Sequence, residues 1–295
     1  MEFLNTKTYE EESIAMSKRV ELPPIYKDIE PLLRTERFPT IWCPACGLGL
    51  LLKTFAKAIV KSEIPPEKHV VVSGIGCAGR IAGYLRIDGY HVTHGRAIPF
   101  ATGIKLAKPE LEVSVISGDG DILSIGGNHF IHAARRNIDL NVIIINNFIY
   151  GMTGGQLGST TPKGAKTMTS PYGNLEEPFN VPLLAYACGA SFVARWTVFH
   201  DTQLLNAILK AFEIKGFSVI EVLSPCTIFA ERNNLKMLEL IKMLRTRTRV
   251  KHDAPLEELM IEPDKPIILG NFIERREKPS FERSTLDIIK KLRGE

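Results

Sequence analysis

Two short stretches of this 295-residue chain place glycine and oxygen-bearing side chains where a hard cation and a diphosphate could meet. Gly118-Asp119-Gly120-Asp121 follows the β-branched run Val113 to Ser117 and precedes a helical pattern. Glycine there lets the backbone approach a diphosphate, and Asp119 offers a hard carboxylate to Mg²⁺. Alone, a Gly-Asp-Gly after a strand reads more readily as a tight turn than as a metal site. The next strand tips the balance, because it delivers Asn147 at its end, with the carbonyl of Ile149 just beyond. Asp119, Asn147 and the Ile149 carbonyl would supply three oxygens. Mg²⁺ wants about six and usually takes the rest from phosphate and water.

The chain has five cysteines. An odd number with no secretion signal argues against a disulfide framework and for metal or redox use. Cys43 and Cys46 form a CxxC entering a long helical pattern, Cys77 follows the run Val70 to Ser73, and Cys226 follows the run Phe217 to Leu223. Four thiolates suit a [4Fe-4S] cluster. A zinc site usually shows a second close pair, and a CxxC also serves as a redox pair. Spacing alone leaves cluster, zinc and redox pair level. Cys188, among small apolar neighbours, reads as inert packing.

Thr93-His94-Gly95-Arg96-Ala97 opens another helical pattern, which puts His94 and Arg96 at a helix N-terminus where anions gather. A plain capped helix start is the bland alternative. Arg80, on the same loop as Cys77, could pair bidentately with a carboxylate, and an ordinary surface arginine is nearly as good a reading. His129 and His132 have i, i+3 spacing, but no third ligand accompanies them, so they read as structural.

The elements that must position these groups follow from the apolar pattern. Val70 to Ser73, Val113 to Ser117, Leu140 to Ile145 and Phe217 to Leu223 have the length and β-branching of buried strands. Leu48, Leu52, Phe55 and Ile59 mark one face of a helix whose other side carries Lys53, Lys57 and Lys61, and Leu204, Leu205, Ile208 and Phe212 repeat the pattern. Strands alternating with helices predict an α/β fold, a mostly parallel sheet with helices on both faces. The segments GIGCAGR, GDGD, NNFIYG and SPC all fall at strand C-terminal ends, so in a parallel sheet they meet on the rim where ligands bind. The Thr-, Gly- and Pro-rich stretch Gly158 to Asn180 reads as a long loop serving a site or an interface. We divide the chain into an N-terminal arm and lead-in helix (1–40), a binding domain (41–232) and a C-terminal helix with a charged tail (233–295).

Residues are 44% hydrophobic and 24% charged, with a net charge of +4. No apolar run approaches the ~18 residues of a membrane span, and the first twenty residues lack the apolar core of a secretory signal. Composition therefore predicts a soluble cytoplasmic protein that engages neither membrane nor nucleic acid. The run Lys242, Arg245, Arg247, Arg249 and Lys251 reads as the solvated side of a C-terminal helix rather than a polyanion site.

The Gly118-Asp119-Gly120 turn followed by Asn146-Asn147 is similar to the thiamine-diphosphate signature. Its continuation, Tyr150-Gly151-Met152-Thr153-Gly154-Gly155-Gln156, resembles one subgroup, the β subunits of 2-oxoacid:ferredoxin oxidoreductases. The loops WCPACGLG, GIGCAGR and SPC resemble that family's cysteine loops in the same order, so the resemblance runs from about Trp42 to Asn233. Ile145 stands where a Glu is common, at a position that need not touch the metal. The resemblance implies the diphosphate-binding half of a thiamine-diphosphate fold, Mg²⁺ on Asp119, Asn147 and Ile149, and one [4Fe-4S] cluster on Cys43, Cys46, Cys77 and Cys226. It assigns Ile75, Gly76, Cys77, Ala78, His94, Gly120, Asp121, Gly151 and Met152 to thiamine diphosphate.

By the same resemblance the activity is oxidative decarboxylation of a 2-oxoacid, with electrons leaving through the cluster to ferredoxin and coenzyme A taking the acyl group. The chain has room only for the diphosphate half, which implies a separate α subunit carrying the pyrimidine-binding domain and its activating Glu. A dimer of αβ heterodimers is the simplest assembly. GIGCAGR and THGRAIPFATGIKLA look more like 2-oxoglutarate than pyruvate enzymes, with Arg80 the candidate for the second carboxylate. A pyruvate or broad-range enzyme is the alternative, and a thiamine enzyme without a cluster and a non-catalytic zinc-stabilised binding subunit are the two other classes.

Overall fold

In the computed structural model, which describes residues 22–294, each of the four β-branched runs becomes a strand. In chain order the strands are β1 (His69–Ser73), β2 (Asp88–His91), β3 (Glu112–Gly118), β4 (Leu140–Asn146), β5 (Phe192–Thr197), β6 (Phe217–Leu223), β7 (Thr248–Val250) and β8 (Ile267–Glu274). They form one sheet in the order β2-β1-β3-β4-β6-β5-β8-β7. All neighbours are parallel except β5 and β8. Strands β1, β4 and β6 are buried along their whole length, because apolar layers cover both faces of the sheet.

The helices are α1 (Leu48–Lys61), α2 (Ala97–Ala107), α3 (Gly127–Arg136), α4 (Val181–Ala187), α5 (Asp201–Glu213), α6 (Thr227–Arg232), α7 (Met237–Thr246) and α8 (Phe281–Arg293). As their spacing predicts, Leu48, Leu52, Phe55 and Ile59 of α1 are buried, and Phe55 meets Phe212 of α5 edge-on with ring centres 6.3 Å apart. One apolar layer joins α1 and α5 to Ile116, Ile143, Ile220 and Val222. The other joins Ala101 of α2 and Phe130 of α3 to Val115, Val142, Ile144 and Val219. Successive strand residues thus serve opposite layers, which is the two-residue period of a strand.

Three expectations are corrected. Among the described residues the lead-in segment forms three 3-10 turns, Pro24–Tyr26, Glu30–Leu32 and Thr35–Arg37, rather than one helix; Pro24 and Pro31 supply no backbone N–H for a continuous helix. The arm expected over the first twenty residues lies outside the described residues. The segment beyond residue 232 carries helices, but it also adds β7 and β8 to the sheet, with Leu269 and Phe272 buried. The basic run does not share one helix: Lys242 and Arg245 lie on α7, Arg249 on β7, and Arg247 between them donates to the carbonyls of Glu262 and Lys265.

Strand order reverses between β1 and β3: β2 lies to one side, β4 and β6 to the other. The crevice outside their C-terminal ends is the switch point of the sheet.

Candidate functional site

Chain leaving β3 enters a π-type turn over Gly120–Ile125 before α3 begins, a wide turn of the kind found at functional sites. Gly120 is required there, since a Cβ would sit 2.4 Å from the Tyr150 ring, whose hydroxyl donates to the Gly120 carbonyl at 3.0 Å. Asp119 is 2% exposed. Its Oδ2 accepts the Phe148 N–H at 3.1 Å and the Thr160 hydroxyl. Burial nevertheless raises its carboxyl from 3.8 to about 6, so the donors do not make good the lost solvation. From the end of β4, Asn147 and Ile149 flank Phe148, whose φ of +69° turns the chain back; the Phe148 carbonyl accepts the Thr161 hydroxyl at 2.6 Å.

Asp121 joins two further loops to this turn. Its Oδ1 accepts the N–H groups of Ile75 at 3.1 Å and Gly95 at 2.8 Å, and it pairs with Nδ1 of His94. Its Oδ2 lies against Gly74, where a Cβ would come within 1.9 Å. The buried carboxylate therefore binds the loop after β1 to the turn before α2. Together the loops enclose a cavity of about 160 Å³ lined by residues 75–78, His94, residues 118–121, Asn147 and residues 149–153. Tyr150 and Thr153 in that lining were not assigned from the sequence.

A second cavity, of about 290 Å³, adjoins the first and is lined by Cys43, Cys46, Cys77 and Cys226, with Ile41 and Trp42 on one side and Ser224 to Ile228 on the other. Cys77, Asn147, Gly151 and Met152 line both cavities. Trp42 donates its indole N–H to the Cys77 carbonyl at 2.8 Å, and the Ser224 hydroxyl donates to the Cys46 carbonyl at 2.5 Å, so each cysteine loop is anchored to another. A Cβ on Gly151 would lie 3.0 Å from the Cys226 sulfur. Burial raises the thiols of Cys46, Cys77 and Cys226, and repulsion from neighbouring thiols adds to the rise. Among the described residues, no group of three or more His, Cys, Asp or Glu is spaced to hold a single metal ion. The four cysteines line a single cavity several times the ~30 Å³ that one water occupies.

Four residues considered from the sequence lie apart. Arg80 is exposed on the 3-10 segment Ala78–Tyr84 and lines neither cavity, although its charge favours the Cys77 thiolate. His129 and His132 project from α3 with no third ligand among the described residues, and Cys188 is a half-buried thiol at the end of α4, raised by burial.

Residues 74–222 match the family model for the thiamine pyrophosphate enzyme C-terminal TPP binding domain. That span takes in β2 to β5, all of β6 but its last residue, and every loop of the smaller cavity, so fold and site define a thiamine-diphosphate-binding domain. The 2-oxoglutarate synthase subunit KorB of Archaeoglobus fulgidus is 52% identical over 249 residues, covering 83% of this chain and 92% of that one. The subunit of the same name from Methanocaldococcus jannaschii is 47% identical over 268 residues, covering 89% and 97%. The solved 2-oxoglutarate:ferredoxin oxidoreductase from Magnetococcus marinus, with 2-oxoglutarate, coenzyme A and succinyl-CoA bound, superposes with a TM-score of 0.81 at 29% identity, covering 95% of this chain and 94% of that one. The chain belongs to the 2-oxoacid:ferredoxin oxidoreductase β subunits, within the group of 2-oxoglutarate synthase subunits, and is one subunit of a multi-subunit oxidoreductase.

Proposed function

We propose that this chain is the thiamine-diphosphate and iron-sulfur half of a 2-oxoglutarate:ferredoxin oxidoreductase, which interconverts 2-oxoglutarate plus coenzyme A with succinyl-CoA plus CO₂. The observation that carries the reading is the common wall of the two cavities, Cys77, Asn147, Gly151 and Met152, which sets a cysteine-lined space directly against a glycine-lined, carboxylate-bearing one. Asp119, Asn147 and the Ile149 carbonyl would hold Mg²⁺; their oxygens suit a hard cation, and the desolvated Asp119 lacks a cationic side chain among its hydrogen-bond partners. Cys43, Cys46, Cys77 and Cys226 would hold one [4Fe-4S] cluster, because the four cysteines line one cavity and four thiolates are the number such a cluster takes. Bound there, thiamine diphosphate supplies the nucleophilic carbon for 2-oxoacid decarboxylation and the cluster supplies one-electron transfer. The chain's own residues supply placement: Asp121 orients His94 toward the cofactor cavity, and Gly151 keeps the shared wall thin.

An α subunit closes the site. Ile75 and Met152 at the cavity and Tyr172 and Leu175 on the long loop expose apolar surface, Tyr172 at 98% and Leu175 at 88%, as an interface does. In this reading residues 41–232 form the binding unit, the assembly is a dimer of αβ heterodimers, ferredoxin accepts the electrons, and the complex works in the cytoplasm. Among the described residues no helix is long and apolar enough to cross a membrane.

The test is metal analysis of anaerobically purified protein, with EPR after dithionite reduction. About four irons with matching sulfide and a reduced-cluster signal are expected; stoichiometric zinc would overturn the proposal. Arg80 lines neither cavity but lies exposed three residues beyond Cys77, which lines both, and is proposed to meet the second carboxylate from there; Arg80→Leu should then raise the KM for 2-oxoglutarate far more than for pyruvate, and equal effects on both would remove it from the substrate site.

A further inference from the structure

We propose that a buried polar row, Arg195, Glu221 and Asn146, positions the turn that presents the cation ligands and ties that turn to a cysteine loop. This rests on the reading above that Asp119, Asn147 and the Ile149 carbonyl hold Mg²⁺ with the diphosphate. The three side chains come from the neighbouring strands β5, β6 and β4, and each residue is 1% exposed. Arg195 stands opposite Glu221 in register, with Nε 2.5 Å from Oε2, and its Nη1 donates to the Leu259 carbonyl at 2.7 Å. Oε1 of Glu221 accepts the Asn146 amide at 2.7 Å.

That last bond decides how the amide faces. An ionised Glu only accepts, so the NH₂ of Asn146 must turn to it, and the amide oxygen must turn the other way. There Oδ1 accepts the Phe148 N–H at 3.1 Å, the same N–H that reaches Asp119 Oδ2 at 3.1 Å. Phe148 lies between Asn147 and Ile149 in left-handed backbone, uncommon for so bulky a side chain, and so needs such support. In the other direction the Asn146 carbonyl accepts the Ser224 N–H at 3.0 Å, and Ser224 in turn holds the Cys46 carbonyl. A buried ion pair is a poor device for stability alone, since well-packed apolar residues of similar volume often do as well or better. Apolar residues could not fix an amide, and fixing this one sets the backbone between two ligands.

The experiment titrates Mg²⁺ into the αβ complex stripped of cofactor, at saturating thiamine diphosphate. The double variant Arg195→Met/Glu221→Leu removes both charges together. Groups that orient a metal's ligands commonly change its affinity about 10–100-fold, and the Kd for Mg²⁺ should rise within that range. The cofactor-free thermal midpoint and the iron content should stay near wild type, which a merely structural role would not separate from affinity. Wild-type Mg²⁺ affinity in the folded double variant would overturn the proposal. If that variant does not fold, Asn146→Ala, which keeps the ion pair, takes its place with the same two outcomes. A wild-type complex that fails to bind Mg²⁺ with thiamine diphosphate would remove the underlying reading instead, so the two failures are distinct.

Discussion

At the N-terminal end of the central strands, Glu112 receives the Asn141 amide at 2.5 Å and the Lys215 ammonium at 3.2 Å, and Asp139 lies 2.7 Å from Lys105 Nζ. At the C-terminal end, Asp119 and Asp121 are buried as deeply, yet among the described residues backbone N–H groups, a threonine hydroxyl and His94 are their hydrogen-bond partners, with no Lys or Arg among them. The chain closes one rim with its own cations and leaves the other short of positive charge. Burying a carboxylate without a counter-charge costs stability. Their place at the switch point, where ligands bind in open α/β sheets, suits the proposed site for a cation with thiamine diphosphate.

Substituting each rim should separate activity from stability. The largest effect is expected from Asp119→Asn, which keeps the side chain's shape and removes its charge. Activity of the αβ complex should fall roughly 100-fold or more, since even groups behind a metal's ligands are worth about 10–100-fold. The cofactor-free thermal midpoint should hold or rise, and a large loss of stability with activity retained would break the comparison. Lys105→Met works in the opposite sense. It strands Asp139 without its buried partner and should cost about 3 kcal/mol in a urea titration, with the activity of the folded fraction unchanged. The smallest effect, counted per unit of pH, belongs to His69 at the start of β1, 1% exposed and pushed by burial from 6.5 to about 4, with Nε2 3.2 Å from the Ser62 hydroxyl. The unfolded chain binds a proton that the folded chain refuses, so this stability is complete above about 6.5 and is lost as pH falls toward about 4. The loss should be about 1.4 kcal/mol per pH unit within that window. His69→Gln should flatten that part of the profile, and an unchanged slope would show that His69 does not set it.

How far the fold could be read depended on burial. The four predicted strands are the ones whose β-branched residues meet apolar layers on both sides, so their one-dimensional pattern already reports the layers. Strand β2 escaped because all four of its residues are exposed at the sheet edge. Strand β5 escaped because Arg195 interrupts its apolar run, and the arginine is tolerated only through Glu221 on the neighbouring strand. Strand β8 carries Gly270 and Asn271 at its centre and pairs antiparallel, so it shows no helix-strand alternation to betray it.

The sequence by itself determined which residue types were available: hard oxygens after β3 and β4, thiols in three loops, and glycines where backbone must come close. It also determined their order along strands of one direction, which is enough to send them to one rim. Only the tertiary structure decided that Cys43, Cys46, Cys77 and Cys226 line a single cavity, that Asp121 holds two loops rather than merely lining a pocket, that Thr160 on the long loop reaches Asp119, and that Arg80 stands outside both cavities. Those facts depend on contacts between residues far apart in the chain. Strand periodicity reports which face a side chain takes, but the register and distance between loops arise only when the sheet has packed.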